Sequence, residues 1–223
     1  MVVGRGECRD AKVVGLTGSV WSRYAVVLVD FQQDFWPDEV ESTAPDLPAR
    51  VTDLLAYARS HDLAVVHLRA RFRADGSDWM ARYRLRGRIP CVDGTRGADT
   101  LPFATEHPDE PVIIKHSFDG FLNTELHDVL TARGIKGLVI AGLVTSTCVL
   151  FTASTATQLG YHVSVLTDCC SDHAAAHAAT LAAYPFIFDT VASTNIAERR
   201  HQWDTELAKM HPVLRAANGE SSP

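Results

Sequence analysis

The stretch Tyr24-Ala-Val-Val-Leu-Val-Asp30 decides how this chain folds. An aromatic and five aliphatic residues follow one another without a polar break, and the run stops on a carboxylate. A strand with one wet face alternates apolar and polar residues. A continuous run this short belongs to a strand covered on both faces, as in a parallel sheet. The pattern recurs along the chain. Leu63–Leu68, Val112–His116, Lys136–Ala141, His162–Thr167 and Phe186–Val191 read as further strands. Between them lie segments with helical spacing: Asp46–His61, with Leu47, Val51, Leu54, Leu55 and Ala58 on one stripe; Leu122–Arg133, stopped by Gly134; Ser146–Leu159, closed by Gly160; and the Ala-rich Asp172–Tyr184.

Strand–helix alternation implies right-handed crossovers and a mostly parallel sheet with helices on both sides, a three-layer α/β/α fold. The expected organisation is an N-terminal extension over 1–22, one domain over 23–200 and a C-terminal tail over 201–223 that frays at its end. One segment breaks the alternation. Residues 69–110 form an insert carrying Arg69, Arg71, Arg73, Arg82, Arg84, Arg86 and Arg88, with Phe72, Trp79 and Tyr83 among them. A connection of that length inside a compact domain is usually functional.

Composition narrows the function. The net charge of −6 argues against a general nucleic-acid binder, which needs a basic surface. No apolar run reaches the roughly 18 residues of a membrane span. Residues 1–22 mix Arg5, Glu7, Arg9, Asp10 and Lys12 among apolar residues, unlike a secretory signal, so the expected location is cytoplasmic. Cys8, Cys91, Cys148, Cys169 and Cys170 show neither zinc-ribbon nor disulfide-framework spacing. Reduced thiols fit a cytosolic enzyme, and the adjacent Cys169 and Cys170 read as packing residues at a strand end.

Ligands of such sheets bind beyond the carboxyl ends of the strands, where strand order reverses. Three chemically active residues lie at that edge: Asp30 after the first run, Lys115 after Val112-Ile-Ile114, and Cys148 just past Leu138–Gly142. In Gly142-Leu-Val-Thr-Ser-Thr-Cys-Val149 a strand ends and a helix begins, with Ser and Thr available as N-caps. A cysteine in the first helical turn sits near free N–H groups and a positive dipole end, which lower a thiol pKa and can hold an oxyanion. A buried structural cysteine is the competing reading. A lysine at a strand end commonly extends to solvent, but beside a thiol its charge would favour thiolate. Asp30 could cap the following turn or serve as a general base. No Gly-x-Ser-x-Gly elbow occurs, and no Gly-x-Gly-x-x-Gly follows the first strand, which disfavours serine hydrolases and dinucleotide enzymes.

Asp30-Phe-Gln-Gln-Asp-Phe35, Val112-Ile-Ile-Lys115 with Phe121 and Thr124 following, Gly142–Val149, and Gly160-Tyr-His-Val-Ser-Val-Leu-Thr-Asp168 together resemble the isochorismatase-like cysteine hydrolases over about Tyr24 to Ile196. The resemblance implies a six-stranded sheet of order 3-2-1-4-5-6. It implies Cys148 as nucleophile, Asp30 as acid/base and Lys115 as third member, with Lys115 reaching in from farther off along its flexible stem. It also implies a cis peptide between Val144 and Thr145 that aims N–H groups at the oxyanion, and a homo-oligomer (dimer or tetramer).

Members that cleave a vinyl ether can lack the cysteine, so its presence favours a small-molecule amide, carbamoyl or lactam substrate, the last as in streptothricin-type antibiotics. Nicotinamidases carry an Asp-x-His metal motif after the second strand. Here that place reads Val65-Val-His-Leu-Arg69, so no metal and no cofactor are expected, and His67 reads as a satisfied core histidine. Phe35, Trp36 and Phe121 are candidate pocket walls, each competing with core packing. The insert resembles the family's substrate lid and assembly region, its arginines suited to an acidic substrate, a partner subunit or scattered surface salt bridges. A small-ligand binder that kept the fold and lost turnover is the rival reading.

Overall fold

A computed structural model describes residues 18–217, with side chains to residue 210. Most of the expected N-terminal extension, Cys8 included, and the last six residues lie outside the described residues. Six strands, β1 (Tyr24–Val29), β2 (Ala64–Ala70), β3 (Val112–Lys115), β4 (Gly137–Leu143), β5 (His162–Ser171) and β6 (Asp189–Val191), form one sheet of order β3-β2-β1-β4-β5-β6, every neighbouring pair parallel. This is the order that the resemblance implied.

The continuous apolar runs are explained by what covers them. Along β1 every residue is buried, and successive side chains enter opposite cores. Tyr24, Val26 and Leu28 face α2 (Leu47–Ser60) and α7 (Ile196–Ala217); Ala25, Val27 and Val29 face α4 (Leu126–Ala132) and α5 (Leu150–Gln158). The last helix of that second side, α6 (Ala174–Ala183), adds Leu181 at its rim. Two short helices complete the set: α1 (Asp38–Glu41) after β1, and α3 (Ala81–Arg86) inside the insert. Among the described residues no helix is long and apolar enough to cross a membrane.

Several boundaries differ from the sequence reading, each for a local reason. The helix expected from Leu122 begins at Leu126, because Asp119 accepts from the Phe121 amide (2.9 Å), Thr124 donates to the Gly120 carbonyl (2.6 Å) and Asn123 takes a positive φ of 56°. The sixth strand shortens to Asp189–Val191, leaving Phe186 76% exposed. The fifth lengthens to Ser171 through a bulge against β4. Residues 201–217 are no peripheral tail: they continue α7, and Trp203 and Leu207 are buried in the first core. At the other end Trp21, assigned to the extension, packs edge-on against Tyr24 with ring centroids 5.6 Å apart.

β1 and β4 approach closely at their carboxyl ends. A Cβ on Gly142 would lie 2.3 Å from the Val29 carbonyl oxygen, so only glycine fits there. Gly142→Ala should therefore destabilise the protein by about 1–3 kcal/mol, with a Tm lower by about 2–4 °C per kcal/mol. Thermal unfolding followed by circular dichroism checks this, and an unchanged Tm contradicts the packing described.

Candidate active site

Asp30 leaves the sheet at the end of β1 with φ 51°, a left-handed conformation that aspartate tolerates better than most residues. Its amide still donates to Leu68 (3.0 Å) and its carbonyl accepts from Gln32 (2.7 Å), so the chain turns sharply and the carboxylate points back over the strand ends. Oδ1 is fixed by the Ala70 N–H at 2.9 Å. Oδ2 lies 2.7 Å from Lys115 Nζ, an ion pair in which no donor among the described residues is aligned with that oxygen for a hydrogen bond. One oxygen is thus anchored, and the other is free to accept a proton.

Lys115 ends β3, two strands away from β1 in the sheet. Its expected distance from the site is overcome by its surroundings. Lys115 pairs in register with Ala70, whose methyl leaves room for a long side chain to cross the end of β2. Nζ then makes three contacts: Asp30 Oδ2, the Ser117 carbonyl at 2.8 Å and Cys148 Sγ at 3.6 Å. The last two are hydrogen bonds, and the first is an ion pair. Asp30 and Lys115 are 0% and 1% exposed. Burial disfavours the ammonium, but Asp30 and then Cys148 outweigh it and hold Lys115 above the ordinary lysine range.

Cys148 lies in a single π-helical turn, Thr145–Val149, between β4 and α5. The residue is 4% exposed. Burial, followed by the charge of Asp30, pushes its thiol well above the ordinary range, and Lys115 pulls the other way. This corrects the expectation of a lowered thiol pKa. The helix-end effect invoked in the sequence is outweighed by loss of solvent and a carboxylate at close quarters.

The turn has its own anchors. Asp172 Oδ2 accepts from the Ser146 amide (2.9 Å) and hydroxyl (2.6 Å), and Oδ1 accepts from the His173 amide (2.7 Å). Thr147 and Val149 amides donate to the Val144 carbonyl, whereas the buried Thr145 N–H has no acceptor among the described residues. Thr145 Oγ1 pairs with His177 Nδ1 at 2.8 Å. The cis peptide lies between Leu143 and Val144, not between Val144 and Thr145 as the resemblance implied. Leu143 is still paired with Ser171 in the sheet, so the chain departs there, one residue earlier than expected.

Two supporting residues escaped the sequence reading. Gln32, 1% exposed, donates to the carbonyls of Ala70 (2.8 Å) and Ala98 (3.0 Å) and shares the Ala70 amide with Asp30. It ties the insert to the base. Asp172 follows the end of β5 as Asp30 follows the end of β1, but the strand was read as stopping at Thr167, which hid the parallel.

This arrangement can be set against proteins of known kind. The family model of the isochorismatase domain matches residues 24–196. The chain belongs to the isochorismatase family. Maleamate amidohydrolase of Pseudomonas putida is 30% identical to it over 165 residues, 70% of this chain and 76% of that enzyme. A probable inactive nicotinamidase of Arabidopsis thaliana is 29% identical over 84% of this chain and 98% of its own length. A crystal structure of an isochorismatase family protein from Desulfovibrio vulgaris superposes with a TM-score of 0.73 at 30% identity, covering 79% of this chain and 97% of that one. The family is one of hydrolases, and its relatives of this chain include amidohydrolases.

Within this isochorismatase-family site, the expected aromatic walls separate. Phe35 is half-buried between the main core and a small cluster of Ala70, Phe72 and Cys91 beside the base. Trp36 packs edge-on against Phe103, with centroids 5.9 Å apart. Phe121 is not brought to the site. The loop after β3 runs down α5, and its ring meets Tyr161, just before β5, at the opposite end of the sheet from Cys148. Phe118, next to the Ser117 carbonyl that receives Lys115, meets the Tyr83 ring with centroids 6.1 Å apart. His67 is held by Glu110 at 2.9 Å, which in turn binds Arg59, so it is a satisfied core histidine. Cys169 and Cys170 are buried packing residues.

The ion pair supplies a stability test. Lys115→Met leaves a buried carboxylate uncompensated and should cost about 3–5 kcal/mol. Adding Asp30→Asn removes that charge and should recover part of the loss. Urea denaturation of both variants measures it; a Lys115→Met cost under about 1 kcal/mol, the level of an exposed pair, contradicts the burial described.

Proposed function

We propose that this protein is a metal-independent cysteine hydrolase that cleaves a C–N amide-type bond of a small molecule, an amide, carbamoyl or lactam group, through a thioester. The observation that carries the reading is the meeting of Asp30, Lys115 and Cys148 within 2.7 and 3.6 Å contacts at the carboxyl edge of the sheet. The amidohydrolase relatives support the bond type.

A neutral thiol near a carboxylate oxygen that carries no hydrogen bond among the described residues calls for proton transfer in step with attack. Asp30 Oδ2 takes the Cys148 proton as Sγ bonds to the substrate carbonyl carbon. The carbonyl electron pair moves to oxygen, which the Thr145 and Cys148 N–H groups receive; the unpaired Thr145 N–H favours this role. The tetrahedral species collapses, Asp30 returns the proton to the leaving nitrogen, and amine or ammonia departs. Asp30 then takes a proton from water, which attacks the thioester. The acid is released and the thiol restored. Lys115 holds the Asp30 carboxylate by an ion pair and steadies negative charge on sulfur. A homo-oligomer, dimer or tetramer, belongs to the same proposal.

Cys148→Ala should lower kcat/KM on any amide the parent hydrolyses by at least about 1,000-fold. Asp30→Asn should lower kcat by about 100- to 10,000-fold. Ammonia or amine release from a panel of small amides, ureido acids and lactams measures both. Full activity in Cys148→Ala refutes the mechanism. A parent that binds such compounds and never turns them over is the outcome of a ligand-binding scaffold.

A further inference from the structure

The turn that carries Cys148 is gripped twice by the start of α6, and the two grips do different things. Asp172, just before the helix, takes the amide and hydroxyl of Ser146 and the amide of His173, and so ties the turn to the helix end. It is held in place by Thr43, whose hydroxyl donates to the Asp172 carbonyl at 2.9 Å. The second grip comes from a side chain that the mechanism has not used. His177 lies one turn into α6, its amide donating to the His173 carbonyl at 3.0 Å. Its Nδ1 meets the Thr145 hydroxyl at 2.8 Å, across 32 positions of sequence. That hydroxyl has no other partner among the described residues.

What this contact fixes follows from covalent geometry. Thr145 is 0% exposed, so its hydroxyl has no water to turn to if the imidazole is lost. A β-branched side chain has few χ1 choices, and those are coupled to its backbone. Holding Oγ1 therefore holds the main chain at Thr145. The peptide unit before it is built from the Val144 carbonyl and the Thr145 N–H. The carbonyl accepts from the Thr147 and Val149 amides at 3.2 and 3.3 Å. The N–H has no acceptor among the described residues and is the group assigned above to the substrate oxygen. One end of the peptide plane is thus fixed by the turn itself, and the other through the Thr145 side chain by α6. Burial lowers the pKa of the His177 imidazole, with Asp172 and the Thr167 backbone opposing. A neutral ring carries one donor and one acceptor nitrogen and can pair with the hydroxyl in either tautomer.

We propose that His177 is a positioning residue for the reaction: through the Thr145 hydroxyl it fixes the peptide plane whose N–H receives the oxyanion. It acts through Thr145 and not on the reacting atoms. The proposal rests on the hydrolase reading and adds to that site a residue outside the Asp30, Lys115 and Cys148 set. An oxyanion develops only on the way to the tetrahedral species, so a misaimed N–H slows the chemical step and leaves substrate binding largely as it was. Alkylation of Cys148 by iodoacetamide makes a useful contrast. There sulfur bonds to a saturated carbon, iodide leaves and the thiol proton passes to a base. The step needs the thiol and access to it, and no oxyanion forms.

The test measures two rates in each variant: hydrolysis of whichever small amide in the panel the parent turns over fastest, and iodoacetamide alkylation of the Cys148 peptide, followed by mass spectrometry. His177→Ala should lower kcat by about 10- to 100-fold with KM little changed, and alkylation should keep the parent's rate. His177→Asn, whose amide stands where Nδ1 stood, should recover most of kcat, and the longer His177→Gln should not. Thr145→Val removes the hydroxyl at nearly constant shape and should reproduce the loss. The double variant His177→Ala/Thr145→Val should be no slower than the worse single one, because both remove the same contact. His173→Ala, at an exposed neighbour on the same helix, should leave both rates unchanged. Circular dichroism checks folding, and if His177→Ala does not fold, the Asn, Gln and Thr145→Val variants decide. A parent-like kcat in His177→Ala or Thr145→Val overturns the assignment and leaves the hydrolase reading intact. Losses that add up in the double variant, or that come with an equal fall in alkylation, also overturn it. A parent that turns over no amide of the panel overturns the hydrolase reading, and this assignment with it.

Discussion

Asp30 and Lys115 face each other at 2.7 Å with almost no exposure, and the rest of the site is arranged around that contact. Removing two charges from water costs several kcal/mol for each, and an apolar pair of similar volume would often be at least as stable. The protein nonetheless fills the rim of its sheet with this pair and surrounds it with directed hydrogen bonds. The Ala70 N–H, shared with Gln32, fixes the carboxylate, the Ser117 carbonyl fixes the ammonium, and the sulfur is left as the remaining neighbour. Such an expense is understandable where a fixed base and a fixed cation serve a reaction. It is hard to account for as a device for stability.

The fold makes the contact possible through strand order. Placing β1 beside β4 brings the end of the first apolar run next to the turn that carries Cys148, although 118 positions separate Asp30 from Cys148 in sequence. Gly142 permits the close approach of those two strands. The left-handed backbone at Asp30 then turns the carboxylate across the strand ends instead of along them. Asp172 performs a related task from β5, capping the turn that presents the nucleophile. Carboxylates at the ends of two different strands thus do different work, one beside the sulfur and one behind it.

Much of this was legible in the sequence because buried strands leave uninterrupted apolar runs, and the residue that ends such a run is placed at the sheet's edge. Asp30, Lys115 and Cys148 were found in that way. What escaped depends on contacts between residues distant in sequence. The reach of Lys115 is set by the methyl of Ala70 on a neighbouring strand. The thiol's raised pKa follows from enclosure, which a local helix-end argument does not see. Phe121 follows an active-site strand yet is carried away by a loop pinned to Thr152 and Thr155. Trp203 was passed over because α7 is largely polar, with its buried apolar residues Ile196, Trp203 and Leu207 set among charged ones.

The central claim is that the Cys148 sulfur itself carries the acyl group during turnover. Rapid acid quenching of the parent with a hydrolysed amide, followed by proteolysis and peptide mass spectrometry, tests it most directly. The account predicts the substrate's acyl mass on the peptide that contains Cys148, sensitive to hydroxylamine. Steady hydrolysis with an acyl group trapped on some other residue would contradict it.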